Sequence, residues 1–373
     1  MDKNKKPKPF INIGPGYTIK KYIEDRGWSQ DDLAQLTEIS TKQLSQIIND
    51  KVRITINTAR LFAKAFGTSP EFWVNLDTNF RLHQDKDEKK ESATERKAKI
   101  RKYMPVSEIS RKGWYVCENS ADGYEGLYER VWNKTINDNS PYEEEEKKYC
   151  ARQKKGNEEF TKLYTITWQQ IARKRAEQIK VPEYNKKGLN KIVEDYTRYT
   201  TEPDGVVRII EDLNSVGVKF FVLSHLSKTY LDGACFMDGK NPVIVYTCRY
   251  DRVDNFWFTL AHEIAHVLLH LKASSKNYFI DDLKDGDNTA TEEKEADEKA
   301  EEMLRVNEIL NLSQPRTKYF SEAKLKTISE KLKIEESLVL GILQFLRIID
   351  YRSALNKLKK KVKDMFPDDL IIG

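Results

Sequence analysis

The stretch NFWFTLAHEIAHVLLHL, residues 255–271, combines an almost wholly apolar helical pattern with histidines and a glutamate. His262 and His266 are four residues apart, so a helix places both imidazoles on one face, where they can bind one metal ion. Glu263 then points at the fourth coordination position, where it can act as a general base. Burying these polar groups requires partners, and a metal ion is the simplest one. The stretch therefore predicts a metal site of the HExxH type.

The next predicted helix, TEEKEADEKAEEML at residues 291–304, is expected to supply the third protein ligand. Glu295 is the preferred candidate because it adjoins Ala296, and the small side chains of Ala296 and Ala300 let this helix approach the first one closely. Glu292 is the second candidate. Two imidazoles and one carboxylate form a ligand set that suits Zn²⁺.

Other polar residues near these two helices are expected to be structural. His270 lies two turns beyond His262, about 12 Å along the axis, and is interpreted as a helix-end residue. The remaining acidic side chains of the second helix are interpreted as a solvated face: Glu293, Glu298, Glu301 and Glu302. Three residues before the first helix are weaker candidates for stabilising an oxyanion: His225, Arg249 and Tyr250.

The residues that precede the first helix favour a small β-sheet. Val218–Leu223 fits a strand, and Leu231–Met237 and Pro242–Thr247, separated by DGKN, fit a β-hairpin. The edge strand of this hairpin could pair with an extended peptide.

A second motif, GWSQDDLAQLTEISTKQLSQIINDKV at residues 27–52, predicts two short helices joined by a tight turn. Ser29 and Ser40 are placed to cap them, and Ile39 is placed to fill the corner between them. Such a pair can hold its second helix across a DNA major groove. The candidate DNA contacts are the polar residues on this surface: Gln30, Thr41, Lys42, Gln43, Ser45, Gln46 and Asn49. The alternative is a small helical bundle with an ordinary polar face.

The block from Gly14 to Leu82 resembles the Cro/repressor-type DNA-binding domain of HigA-like antitoxins. The resemblance lies in Pro15-Gly16, in Gly27-x-Ser29-Gln30 and in the ending FGTSPEFWxNL at residues 66–76. It implies a double-stranded DNA operator as partner, and a homodimer that reads paired half-sites. One departure is Asp50, where Gly often follows the second helix; Asp tolerates a left-handed conformation better than most residues.

The stretch from about Val218 to Leu304 resembles the ImmA/IrrE metallopeptidases. The shared residues are Asp232-Gly233, the strand PVIV at 242–245, the FTLAHE run at 258–263 and the EAD run at 295–297. The resemblance implies Zn²⁺ held by His262, His266 and Glu295, with Glu263 as catalytic acid/base. It also implies a helix-turn-helix repressor as substrate, on the same chain, on a sister copy or on a separate partner. Departures at packing or turn positions are Lys299 and Val306.

Composition sets the cellular context that we expect. The formal net charge of +5 permits nucleic-acid binding without demanding it. The four cysteines form no CxxC pair, which favours a reducing compartment. The N-terminal MDKNKKPKPF has no apolar stretch behind it, and no run reaches the ~18–20 apolar residues of a spanning helix. We therefore expect a cytoplasmic protein that does not bind a membrane.

The expected fold is multidomain and mainly α, with an all-α helix-turn-helix domain and an α+β zincin-like metallopeptidase domain that has a small β-sheet and C-terminal helices. The expected segments are a basic leader (1–14), the helix-turn-helix domain (15–82), a charged linker (83–112), a helical region of unknown role (113–204), the metallopeptidase core (205–312) and a C-terminal helical cap with a basic tail (313–373).

Two functions fit these features. The first is a DNA-binding zinc endopeptidase in transcriptional, toxin–antitoxin or stress regulation, which cleaves a helix-turn-helix repressor or another partner protein. The second is a HigA-type antitoxin or repressor whose metallopeptidase-like domain is a sensor or a toxin-binding scaffold without proteolysis. The presence of Glu263 favours the enzyme, because a retired protease can lose this residue without losing its metal. A third alternative is a peptidase whose N-terminal helices bind only protein.

Overall fold

A computed structural model describes residues 12–83, 88–136, 159–227, 229–271, 278–280, 287–313 and 320–372. These residues fall into two compact units, 1–93 and 94–373. Most of the predicted basic leader, together with 84–87 of the predicted linker and 137–158 of the predicted helical region, lies outside the described residues. The six-part division of the chain stays a prediction.

The described part of the first unit contains five complete helices. They are α1 (Pro15–Glu24), α2 (Gln30–Thr37), α3 (Thr41–Ile48), α4 (Ile56–Phe66) and α5 (Pro70–Leu82). The last four each begin at a serine or threonine whose hydroxyl accepts a backbone N–H of the first turn. Leu44, Phe62 and Trp73 are fully buried at their common centre.

The turn between α2 and α3 follows the sequence prediction. Ser29 and Asp32 form a capping box at the start of α2, and Ser40 caps α3. Glu38 adopts a left-handed conformation with φ of 56°, and Ile39 is buried at the corner. The predicted helix-turn-helix geometry is therefore confirmed.

Asp50 shows why a non-glycine residue can follow the second helix of the motif. Its φ of 57° is left-handed, as predicted. Its carboxylate Oδ1 also accepts a hydrogen bond of 2.8 Å from the backbone N–H of Gly16, in the first turn of α1. The aspartate therefore satisfies a helix N–H that a glycine would leave to water.

The second unit is built on a mixed five-stranded sheet in the order β4–β2–β3–β1–β5. Strand β1 (Lys219–Leu223) runs parallel to β3 (Asn241–Tyr246) and to β5 (Ile371–Ile372). Strand β2 (Gly233–Asp238) runs antiparallel to β3 and to β4 (Tyr278–Ile280). The predicted hairpin is present, and it turns at Gly239, whose φ is 62°.

Helices cover this sheet. Before it come α6 (Glu88–Tyr103), α7 (Val106–Arg111), α8 (Ala121–Trp132), α9 (Glu159–Ala176), α10 (Lys186–Glu194), α11 (Tyr196–Thr201) and α12 (Gly205–Ser215). After β3 come α13 (Val253–Leu269), α14 (Asp287–Met303), α15 (Val306–Ser313), α16 (Glu322–Leu332), α17 (Glu336–Phe345) and short 3₁₀ turns within residues 354–370. None of the described helices is long and apolar enough to cross a membrane.

Both faces of the sheet are buried, which explains why β1 is a continuous apolar run. Phe220 and Val222 join the core that contains α13 and α17. Phe221 and Leu223 join a second core with Trp132 of α8 and other residues of α8 and α9. Part of the helical region of unknown role therefore shares a core with the sheet. The expected fold class, an all-α helix-turn-helix domain followed by an α+β domain, is confirmed.

Candidate metal centre and nucleic-acid interface

Helix α13 is buried on nearly all sides, because it packs against β2, β3, α14 and α17. His262, Glu263 and His266 are themselves buried within this packing. The Nε2 atoms of His262 and His266 lie 3.0 Å apart on the face turned toward α14. The i, i+4 spacing thus brings both imidazoles to one point, as the sequence predicts.

The third group at this point is Glu293 of α14. Its Oε2 lies 3.3 Å from Nε2 of His262, and its Oε1 lies 3.4 Å from Nε2 of His266. Among the described residues, these three offer ligand atoms that all lie within 4.8 Å of one another. Tetrahedral zinc with bonds of about 2.0–2.1 Å separates its ligand atoms by roughly 3.3 Å. The spacing and the chemistry of the three donors therefore fit a zinc ion.

Glu295, the third ligand predicted from the sequence, lies elsewhere. Its Oε2 contacts Nε2 of His270 at 3.0 Å, and Nδ1 of His270 lies 3.1 Å from Nδ1 of His266. The predicted ligand is thus two hydrogen bonds away from the cluster. The reason is the helical step of about 100° per residue, which rotates Glu295 away from the face that Ala296 presents to α13. Among the described residues, Glu293 and not Glu295 lies together with the two histidines.

Both histidines of the cluster have a partner on their second ring nitrogen. Nδ1 of His262 lies 2.9 Å from Oδ1 of Asp297, one turn after Glu293 on α14. Nδ1 of His266 contacts His270. Metal-binding histidines usually donate their other N–H to such a partner, which fixes the ring and its tautomer. Asp297 and His270 are therefore placed to position the two imidazoles.

The protonation states also suit metal binding. Burial lowers the pKa of His266, against the opposing effect of Glu293, and so favours the neutral imidazole. Burial opposes ionisation of Glu293, but its hydrogen bonds to His262 and His266 outweigh that effect and lower its pKa to about 2. Neutral imidazole and ionised carboxylate are the forms that bind a metal ion.

Glu263 lies beside strand β2. A Cβ built on Gly233 would come within 2.7 Å of Glu263 Oε1 and 2.8 Å of Thr259 Cγ2, so glycine leaves room for this carboxylate. The buried thiol of Cys235, two residues along the strand, has its pKa raised by burial and then by the charge of Glu263. Strand β2 thus lies against Glu263, on one side of the site.

The outer edge of β2 is not open at this point. Strand β4 pairs with it antiparallel, with Ala234 opposite Ile280 and Cys235 opposite Phe279. The expectation that the hairpin edge could accept an extended peptide is therefore wrong for the part of β2 that β4 covers. Of the weaker oxyanion candidates, Arg249 donates to the carbonyl of Tyr230 at 2.9 Å.

The predicted DNA-reading residues lie on the surface of the first unit. All but one of these side chains are exposed: Gln30, Thr41, Lys42, Gln43, Gln46 and Asn49. The exception, Ser45, is half-buried. The side-chain amide of Asn49 donates to the carbonyl of Ser45 at 2.8 Å, so it caps its own helix. The other side chains form a polar face on α3, opposite the buried Leu44 and Ile47.

The comparisons with known proteins assign both units. Residues 19–73 match the helix-turn-helix family model, and residues 213–339 match the model described as IrrE N-terminal-like domain. The chain carries a helix-turn-helix segment and an IrrE N-terminal-like domain. The second match spans β1, the hairpin, α13, α14 and part of α17. A helix-turn-helix segment implies DNA binding.

Curated relatives are similar over short stretches. An uncharacterized HTH-type transcriptional regulator of Haemophilus influenzae is 38% identical over 63 residues, which are 17% of this chain and 59% of the relative. Virulence-associated protein A' of Dichelobacter nodosus is 35% identical over 71 residues, 19% of this chain and 62% of the relative. The chain thus spans about three fifths of these two relatives. No solved structure matches it.

Proposed function

We propose that this chain is a DNA-binding, zinc-dependent endopeptidase that acts in transcriptional, toxin–antitoxin or stress regulation. Its substrate would be a helix-turn-helix repressor or another partner protein. The observation that supports this most is the cluster of His262, His266 and Glu293, with Glu263 one residue from the first histidine. The helix-turn-helix match supports the regulatory role.

In this proposal His262, His266 and Glu293 hold the zinc ion, in place of the set with Glu295. Zinc bound there would polarise the scissile carbonyl and lower the pKa of water. Glu263 accepts a proton on its carboxylate from the attacking water and passes it to the leaving amine. The buried setting of α13 keeps bulk water from competing for that carboxylate.

Zinc removal tests the enzymatic part of the proposal. We expect the zinc-loaded full-length protein to cleave members of a mixed peptide library, as read by mass spectrometry of the new termini. Stripping the metal with a chelator should abolish cleavage. One equivalent of Zn²⁺ should restore it, because His262, His266 and Glu293 would bind the added ion again. A fully zinc-loaded protein that cleaves no peptide and no helix-turn-helix repressor would contradict the peptidase proposal.

Asp297 should affect zinc affinity without being a ligand. We expect Asp297→Ala to weaken zinc binding by about 10–100-fold, because the His262 ring loses the carboxylate that orients it. Competition against a chromophoric chelator measures this affinity. The adjacent, exposed Glu298→Ala is the matched control and should bind zinc like the wild type. Equal affinities for all three proteins would show that Asp297 does not position His262.

The helix-turn-helix surface is expected to read base edges through glutamine amides. A DNA site selected from random sequence should lose affinity with Gln43→Ala or Gln46→Ala, by about 5–150-fold if the amide makes a bidentate contact. Gln35→Ala, an exposed glutamine on α2, is the control. Selection that recovers no preferred sequence would leave this surface as a protein-binding face.

One observation favours a second function, a repressor or antitoxin whose second unit is a sensor or scaffold. Strand β4 pairs with β2 beside Glu263, where a peptide substrate could otherwise pair. A zinc-loaded protein that binds its operator but cleaves nothing would support this alternative. Release of operator DNA without chain cleavage, on binding of a partner, would support it further.

A further inference from the structure

A cavity of about 490 Å³ lies in the second unit, between the N-terminal half of α13 and the helices α14, α15 and α17. Its size falls within the range of ligand-binding pockets. It does not coincide with the metal cluster, because its walls come from the turns of α13 that precede His262.

The cavity adjoins the candidate catalytic site through Thr259. This residue lines the cavity and lies one turn before Glu263 on α13. Both residues face Gly233. A Cβ built on Gly233 would lie 2.8 Å from Cγ2 of Thr259 and 2.7 Å from Oε1 of Glu263. Glu301, which also lines the cavity, follows Glu293 on α14 by eight residues, about 12 Å along the helix axis. The cavity therefore begins one helical turn from Glu263, on the side of α13 that faces Gly233.

The lining combines apolar, aromatic and charged side chains. Leu338 and Ile342 are buried in its wall. Three aromatic lining residues remain exposed to solvent: Tyr250 at 44%, Phe345 at 58% and Tyr351 at 56%. Phe345 packs against Phe258 with ring centroids 5.5 Å apart. Exposed aromatic groups that gather around one opening are typical of binding surfaces.

The most buried charge in the lining is compensated within the protein. Asp254 pairs with Arg252 at 3.0 Å and with Lys359 at 3.1 Å. Asp254 therefore does not require a charged ligand. A cation that entered the cavity would lose its hydration without gaining Asp254 as a partner. Asp232, also in the lining, pairs with Arg249 at 3.4 Å. Glu301 is the remaining lining carboxylate, so the wall formed by Leu338 and Ile342 is the part that favours an uncharged, apolar occupant.

We propose that this cavity binds a large apolar side chain of the substrate polypeptide, next to the bond that is cleaved. The occupant is a leucine, methionine or phenylalanine side chain. It lies on an extended segment, because a folded protein buries such side chains and cannot offer them to the cavity. This inference rests on the proposed peptidase function and adds a substrate class to it. The protein would thus act on exposed or loosened apolar segments of its target.

Binding can be tested apart from cleavage. The zinc-loaded Glu263→Gln protein, labelled at isoleucine methyl groups, is titrated with acetylated pentapeptide amides Ala-Ala-Xaa-Ala-Ala, where Xaa is Leu, Phe, Ala or Asp. We expect the Leu and Phe peptides to shift the methyl signal of Ile342 and to bind about 10-fold or more tightly than the Ala and Asp peptides, since the cavity would remove their apolar surface from water.

Two variants make the test specific. Ile342→Phe fills the cavity from its wall, and Phe345→Ala removes a half-exposed aromatic ring from the lining together with its contact with Phe258. Both should weaken Leu-peptide binding about 10-fold, whereas Val116→Ala, at a residue that is 85% exposed and outside the lining, should not. Equal binding of all four peptides, or unchanged Leu-peptide binding in both cavity variants, would overturn the inference.

Cleavage-site profiles separate this inference from the proposed function. Wild-type cleavage sites should be enriched in large apolar residues at one fixed position, and Phe345→Ala should raise KM for those sites. Cleavage without such enrichment would retain the peptidase and overturn the cavity inference. Selective Leu-peptide binding by a protein that cleaves nothing would retain the cavity and overturn the peptidase.

Discussion

Zinc should be lost from Glu293→Ala and retained by Glu295→Ala. Glu293 brings its carboxylate within 3.3–3.4 Å of the Nε2 atoms of both histidines. Glu295 reaches only His270, through a contact of 3.0 Å. We expect Glu293→Ala to weaken zinc binding more than about 100-fold, because loss of a direct ligand exceeds the effect of an outer partner. Metal content of the purified proteins by mass spectrometry, at about one zinc per wild-type chain, measures this.

The two variants control each other. Both remove a carboxylate from the same helix, so a general change in charge or helix stability would affect them alike. Glu295→Ala should lose at most about 10-fold in affinity, since its contact with His266 runs through His270. Zinc that is lost from Glu295→Ala and kept by Glu293→Ala would contradict the arrangement of α14 described here and restore the ligand set expected from the sequence.

The preference for Glu295 shows what adjacency in sequence cannot decide. Glu293, Ala296, Asp297 and Ala300 follow the i, i+3, i+4, i+7 spacing of one helix face, and both alanines are fully buried. That face, on which Glu295 does not lie, meets α13. The spacing was visible in the sequence, and it would have selected Glu293 together with its positioning partner Asp297.

Local patterns predicted the elements of the site well. The apolar run and the HExxH spacing gave α13 to within two residues, and the turn residues at 238–241 gave the β2–β3 hairpin. Capping residues likewise defined α2 and α3, since each cap acts within one helical turn. These features depend on residues that are close in sequence.

Long-range pairings were not predicted. Strands β4 and β5 have only three and two residues, too few for a recognisable alternating pattern. Strand β5 joins β1 across roughly 150 residues of chain, and α9 contributes Trp168 to the core beneath the sheet. The cavity beside α13 depends on the packing of α17 in the same way. Such contacts are set by tertiary packing, which single-sequence patterns do not encode.

Glu263→Gln should abolish peptide cleavage while the metal remains bound. The amide is nearly the same size as the carboxylate, so it should fit the space that Gly233 leaves, and Glu263 is not a member of the metal cluster. A glutamine cannot accept the proton of the attacking water, so we expect kcat to fall by about 10²–10⁴-fold. Initial rates on the best library peptide, with zinc content measured on the same sample, provide the test.

The Glu263→Asp variant sharpens this test, because it keeps an acid but withdraws it by one methylene from the reacting group. We expect its rate to fall between those of the wild type and Glu263→Gln, with unchanged zinc content. If Glu263→Gln cleaved peptides at the wild-type rate, the cleavage would not depend on this carboxylate, and a contaminating protease would be the first explanation. If all three proteins bound zinc and none cleaved, the scaffold function that the β4–β2 pairing favours would account for the site.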